Sequence, residues 1–356
     1  MKDFFKKPSP LFRRRISLLL ATSAFSVLSA CGGGGGGTVD SLDSSNETPA
    51  ASNNNNTSGS ARPSSKLFVA DSGSATIGSI INPDFSFRFS IVDRLINGPQ
   101  TGLAIGNSVT GMAVDNLADR LFVVQATKIS VFDKGGEAHG DIAPSRTLAS
   151  SPTASFGAAF LDSGNDRLYV VDGQQLQILV FDNASTAVNA TPARSISIAT
   201  ASGASPGSLK GLTLDLVRDI LYAGLVDPQG CELVGIDTAS KQDGAVTPNR
   251  VIDDECAENI AIDTTHDRLY TVNSGARVGI IDRASTLSGA SAGDGFPVPM
   301  SQSLKNLAYD TTRDRLFVIE PAALYQINHV RMGFGNIPVQ VVTIPVARAL
   351  TAIALK

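Results

Sequence analysis

Tryptophan is missing altogether, and aromatic residues make up only 6% of the 356 positions. Large planar cofactors such as quinones rest on stacked rings and basic clusters. This chain offers neither conspicuously, which disfavours a quinone-dependent dehydrogenase. Histidine is scarce too. His139, His266 and His329 fall in different phases of the repeat described below, so they do not suit a three-histidine metal site, which needs convergence. Helix-forming segments are almost lacking. There is then no strand–turn–helix to carry a serine nucleophile elbow, and no glycine-rich phosphate loop opening a helix. The longest apolar run is residues 16–30, and no stretch is apolar for long enough to cross a bilayer as a helix. Cysteine occurs three times, at Cys31, Cys231 and Cys256. The last two, without nearby histidines, make poor zinc ligands.

What is present begins with a sorting signal. Lys2, Lys6, Lys7, Arg13, Arg14 and Arg15 precede ISLLLATSAFSVLSA, residues 16–30. This run is too short to span a bilayer as a helix and has the shape of a secretory signal. It ends in LSAC, residues 28–31, which resembles the bacterial lipobox. In that family the cysteine is lipidated and becomes the new N-terminus, so the resemblance implies a lipid anchor on Cys31. The arginines are also similar to a twin-arginine export signal, and both export routes stay open. Asp after the lipidated cysteine resembles an inner-membrane retention signal. Gly32 stands there instead, so the outer membrane facing the periplasm is expected. Removing residues 1–30 takes away six cations and one anion, a net +5, and moves the formal charge from −4 to −9. A mildly acidic chain is a poor partner for nucleic acid, where phosphate contacts supply the affinity. With Cys31 used by lipid, Cys231 and Cys256 are an even pair in an exported chain, and a disulfide is expected. Residues 31–65 hold the anchor, then GGGGGG and SSNETPAASNNNNTSGSARPSS. Almost no large apolar side chain occurs there, so the segment reads as a flexible tether with an r.m.s. reach of about 30–35 Å.

From residue 66 to 356 the chain repeats itself. GMAVD (111–115), AAFLD (158–162), GLTLD (211–215), NIAID (259–263) and NLAYD (306–310) each meet a second Asp four residues on. Their final aspartates, Asp115, Asp162, Asp215, Asp263 and Asp310, are spaced by 47, 53, 48 and 47 residues. DRLFVV, DRLYVV, DILYAG, DRLYTV and DRLFVI follow, then runs such as ISVFD and ILVFD, then PSRTL, PARSI and PNRVI. Short β-branched and aromatic runs bounded by Gly, Asp, Asn and Pro are strands. Four strands in a period near 48 predict a β-propeller blade. The D-x-x-x-D segment is the turn between the first two strands, and its aspartates suit it by bonding nearby backbone. SKLFVADSG (65–73) starts at a second strand, and LTAIALK (350–356) reads as a lone first strand. The C-terminus should therefore close the blade begun by the N-terminus, giving an all-β six-bladed propeller. G-x-A-x-D, D-R-L-Y-V-V and V-F-D together resemble NHL-type and related six-bladed propellers over residues 65–356.

Topology then sorts the polar residues. First strands line the channel from top to bottom, so their starts share the top mouth with the ends of second strands. Those ends are Asp71, Gln125, Asp172, Leu225, Asn273 and Glu320. Asp71, Asp172, Asn273 and Glu320 offer the hard oxygens that Ca²⁺ prefers. The ring is similar to the metal site of the six-bladed gluconolactonase family, where a divalent ion polarises a lactone carbonyl and activates water. That family's own motifs are absent, so no residue role is carried over. Gln125, Lys210, Glu258, Asn259, Lys305 and Asn306 are candidates for contacting an anionic or sugar ligand. Cys231 is expected in the loop after the second strand of blade 4, and Cys256 in the loop before blade 5. The recurrent Arg120, Arg167, Arg268 and Arg315 are expected to pair with turn aspartates or the next blade. The reading at this level is a monomeric, lipid-anchored envelope propeller that binds a protein or small ligand. The alternative is a Ca²⁺-dependent lactonase-like hydrolase at the top of the channel.

Overall fold

The computed structural model describes residues 65–83, 92–199, 207–227, 230–253, 255–273, 275–290, 293–298, 301, 303–332, 339–342 and 349–356. The expected signal, Cys31 and the tether up to residue 64 lie outside them. Six antiparallel sheets form a propeller. The innermost strands are Leu350–Leu355 in blade 1, Val109–Asp115, Phe156–Asp162, Ser208–Asp215, Asn259–Asp263, and Asn306–Asp310 in blade 6. Second strands are Lys66–Asp71, Arg120–Gln125, Arg167–Asp172, Ile220–Asp227, Arg268–Val272 and Arg315–Glu320. The expected closure is present. Leu350–Leu355 pairs antiparallel with Lys66–Asp71, with Leu67 opposite Leu355.

The second strands read as unbroken apolar runs because both of their faces are buried. Successive side chains point to opposite faces of a strand. Leu67 and Val69 therefore enter the layer between blades 6 and 1, while Phe68 and Ala70 enter the layer between blades 1 and 2. Leu121 and Val123 meet Phe68 from the other side, and Phe122 and Val124 face blade 3. The core is thus six separate interblade layers. Each receives one aromatic from the third position of R/K-L-[F/Y] or its equivalent: Phe68, Phe122, Tyr169, Tyr222, Tyr270 or Phe317. All six are fully buried. Six of the 21 aromatic residues stand at this one structural position.

Bottom turns follow one scheme. The first aspartate accepts the N–H groups two and three residues on, as Asp115 does from Leu117 and Ala118 at 3.0 and 3.2 Å. The second adopts a left-handed backbone in all five turns, at Asp119, Asp166, Asp219, Asp267 and Asp314. Asp tolerates that conformation better than most residues. Its carboxylate then holds the next bottom turn of the same blade: Asp166, Asp219 and Asp267 accept from the backbone and hydroxyl of Ser185, Ser240 and Ser285. The recurrent arginines are paired as expected. Arg120 reaches Asp115 and Asp133, Arg167 reaches Asp182, Arg268 reaches Asp282, and Arg315 reaches Asp310.

Two features depart from the four-strand unit. Gly244–Val246 pairs in parallel with the outer strand Arg194–Ile198, and Gly289–Ala290 with Arg250–Asp253. The longer loops of blades 4 and 5 thereby cover the outer edge of the preceding blade, which would otherwise offer unpaired backbone. Cys231 is also not in a loop. It is the second residue of the third strand of blade 4, Gly230–Asp237, opposite Val226. The second and third strands of this blade extend to eight residues each, carrying the cysteine upward. Cys231 and Cys256 form the disulfide, with Cα atoms 4.7 Å apart. Cys256 precedes the inner strand of blade 5, so the bridge joins neighbouring blades at the top. Replacing both by serine opens a closure spanning 25 residues. The expected loss is about 3 kcal/mol in the chain-entropy account, read as a lower urea midpoint; an unchanged midpoint would contradict it.

Candidate functional site at the channel mouth

The top ends of the inner strands enclose a cavity of about 670 Å³. Lys210 from blade 4, Glu258 and Asn259 from blade 5, and Lys305 and Asn306 from blade 6 line it together. Five of the six expected ligand-contacting residues therefore converge. Gln125 does not. It is buried behind the inner strand, where its Nε2 donates to the Gly102 carbonyl at 3.4 Å.

Backbone irregularity places several of these groups. The pairing of inner and second strands shifts between Val109 and Gly111, between Phe156 and Ala159, and between Leu209 and Leu212. Bulges of this kind re-aim side chains. Thr110 and Lys210 lie within them and line the mouth. Gly111 and Gly211 allow the close approach that results. A Cβ at Gly111 would stand 2.5 Å from the Gly157 carbonyl, and one at Gly211 2.8 Å from that of Ala257. Blades 5 and 6 have regular inner strands, and there Glu258 and Lys305 precede the strand. Ser108, Ser155, Ser208, Gln174 and Thr351 complete the rim. The sequence reading missed them. Their signal was available, since Thr110, Ser208 and Thr351 lie at blade positions near Lys210, but small hydroxyls attract no attention until the register is known. The Thr351 hydroxyl is shielded and has no partner among the described residues. No ion pair engages Lys210 or Lys305 among the described residues, in contrast to Lys356, which pairs with Asp119 at 2.6 Å. Below, the channel narrows into a second cavity of about 310 Å³ that shares Ala158, Asn259 and Asn306 with the mouth.

The proposed oxygen ring has a different arrangement. Each member is taken up by its own blade. Asp71 accepts from Gly73 and Ala349 at 2.9 and 2.8 Å, and Asp172 from Ser155 at 3.2 Å. Glu320 accepts from Ser301 and Tyr325 at 2.9 and 2.6 Å, and Asn273 from Gly275 at 2.8 Å. Leu225 is buried. In blades 1, 2, 3 and 6 the residue ending the second strand thus bonds the loop that leads into the mouth, a positioning role that accounts for its recurrent polarity. None of the six lines the mouth cavity. Among the described residues no three His, Cys, Asp or Glu side chains are grouped to hold a metal ion. Asp71, Asp172 and Glu320 are therefore not brought together as one cluster of carboxylates.

The histidines are dispersed. His266 Nδ1 is 2.8 Å from Asp263 in a bottom turn, His139 accepts from Leu95, and His329 occupies a left-handed turn position. Electrostatics concentrate at the bottom seam of blades 5 and 6. Burial alone would raise the Asp263 carboxyl. Hydrogen bonds from Arg331, His266 and Tyr309 outweigh it and hold the group below its usual range. Asp310 is likewise opposed by burial but held low by Thr312, Arg315 and backbone. A depressed carboxylate stabilises the fold fully above its unfolded pKa, about 3.9, and that stability is lost as pH falls through the lower folded value. We expect the thermal midpoint to fall steeply below about pH 4, and less so in Asp263→Asn, which has lost one of these two depressed carboxylates. Equal slopes in the two proteins would contradict this. Burial raises Glu255, beside the disulfide, against the opposing bond from Thr271.

No helix of the described residues is long and apolar enough to cross a membrane. No protein-family model and no curated protein sequence match the chain. Solved structures do. A chain from the crystal structure of a nidogen/laminin complex is similar at 14% identity and a TM-score of 0.55, covering 82% of this chain and 98% of that one. A chain of Kuenenia stuttgartiensis hydrazine synthase is 12% identical over 68% of each, with a TM-score of 0.48. At these identities the first of the two establishes the architecture alone: the chain is a six-bladed β-propeller.

Proposed function

We propose that this protein is a lipid-anchored envelope module that binds a protein segment or small polar ligand at the channel mouth. The carrying observation is the convergence of Lys210, Glu258, Asn259, Lys305 and Asn306, from three consecutive blades, on one cavity. Such a cavity, with a few polar groups placed by a rigid scaffold, is where ligands are ordinarily taken. The nidogen/laminin complex is a precedent for a chain of this shape in a protein–protein assembly. Two lysines without ion pairs among the described residues, next to two amide side chains, favour a ligand carrying acidic and hydrogen-bonding groups. Cys31 would hold the module at the membrane.

A photo-crosslinking residue at Ser208, in cells, tests the mouth directly. We expect discrete adducts from Ser208 and none from Thr286, in a bottom turn. Lys210→Glu with Lys305→Glu should reduce the Ser208 adduct about tenfold, the scale of a 1.4 kcal/mol contact. Adducts that are absent, or indifferent to the charge reversal, would remove the mouth as the binding site.

A further inference from the structure

We propose that the bottom face of the propeller contacts the bilayer, with Leu117, Leu216, Val217 and Met332 entering the interfacial layer. This rests on the lipid-anchor reading of Cys31. Four of the seven large apolar side chains that are exposed among the described residues project from bottom turns, at 87%, 50%, 77% and 85% exposure respectively. Their positions are not demanded by the fold. In DNLAD and DLVRD the flanking aspartates supply the turn bonds, as Asp215 does to Val217 and Arg218 at 3.0 Å. The corresponding tips of blades 3 and 5 are SGN and TTH. Leucine and valine are poor choices at solvated turns, where small polar residues serve better. In blade 6 that tip is TTR, and Met332 stands instead in the second bottom turn, after the strand Ala323–Asn328; the apolar side chains are thus spread over blades 2, 4 and 6 as three feet.

Where the chain enters the ring gives this surface its occupant. Lys66 bonds Lys356 through both backbone groups, and Lys356 pairs with Asp119, so residue 65 emerges on the bottom face. Between it and Cys31 lie 33 residues of Gly/Ser/Asn-rich sequence. An anchor of that length keeps the bottom face at high effective concentration near the lipid, so a few apolar tips suffice. The carboxylates of the first bottom turns, beside the feet, are turned inward and paired: Asp215 with Arg218, Asp310 with Arg313 and Arg315, and Asp263 with Arg331. Those at the ends of the third strands, Asp133, Asp182, Asp237 and Asp282, are more exposed, and each is paired with an arginine. Arg218 and Arg331 adjoin Val217 and Met332, and their long stems can lie along the apolar layer with the guanidinium in the headgroups.

The absence of tryptophan makes the test direct. Leu117→Trp, Val217→Trp and Ile105→Trp each place a single indole in the full-length lipidated chain, the last at an exposed site near the top. Each protein is reconstituted in phosphatidylethanolamine/phosphatidylglycerol vesicles with brominated acyl chains. We expect at least twofold quenching at positions 117 and 217 relative to unbrominated vesicles, and no change at 105. Protein that floats with the vesicles but shows no quenching at 117 and 217, or equal quenching at 105, overturns the face while leaving the anchor intact. Protein that neither floats nor carries lipid by mass spectrometry removes the anchor, and the face with it.

Discussion

A chain ending at residue 349 is expected to lose its cooperative thermal transition. The strand Lys66–Asp71 would then have no inner neighbour along its whole length. Leu350 and Ile353 would leave the layer between blades 6 and 1, and Ala352 and Ala354 the layer between blades 1 and 2. Removing one buried Leu or Ile side chain costs about 2–5 kcal/mol, and removing two with their strand reaches the 5–15 kcal/mol that holds a typical domain together. Ala349, whose N–H donates to Asp71, would be left as a free end without the strand that holds it in place. Circular dichroism against temperature, with size-exclusion chromatography, reads the result. A truncated protein that is monomeric and melts within a few degrees of the intact chain would show that the ring does not need its closing strand.

The second large effect separates two arginines that look equivalent in the repeat. Arg315 and Asp310 form an ion pair whose side chains are only 7% and 4% exposed. The same guanidinium donates to the Pro83 carbonyl at 2.7 Å and lies 5.6 Å from the centre of the Phe317 ring. Arg315→Ala removes one partner of a buried pair and leaves the other charge in place, which typically costs about 3–5 kcal/mol. Arg120, with a side chain 23% exposed, pairs with Asp115 and Asp133 at the rim. Its removal should cost about 1 kcal/mol or less, because water screens and replaces an exposed pair. Urea unfolding of the two single variants makes the comparison. Equal losses would mean that burial does not set the worth of these pairs.

The repeat made the architecture legible because each blade must bury both faces of its second strand. That demand writes an unbroken apolar run with an aromatic at a fixed place, once per blade. Closure followed from LTAIALK and SKLFVADSG being complementary fragments. The convergence of Lys210, Glu258, Asn259, Lys305 and Asn306 followed from strand direction alone. What escaped was whatever depends on register and on local hydrogen bonding. The bulge at Lys210 shifts a pairing without changing composition. Asp71, Asp172 and Glu320 resemble ligands in sequence because a carboxylate suits a cation and a backbone N–H equally well. Only the neighbouring loop shows which it serves. Cys231 was misplaced because strand length varies: blade 4 extends its hairpin by two residues relative to the six-residue strands of blade 3.

Blade 1 joins residues from opposite ends of the chain, with Leu67 beside Leu355. Synthesis delivers those two strands at different times. The strand that appears first must wait, with one edge open, until the final strand has followed it, while blades 2 to 6 can form in order from local hairpins. Such distant pairing is slow, and an open edge invites association with other chains. The ring therefore has a single seam, and its sealing closes the propeller. A chain released early, short by only a few residues, would carry five finished blades and one exposed strand by which quality control could recognise it.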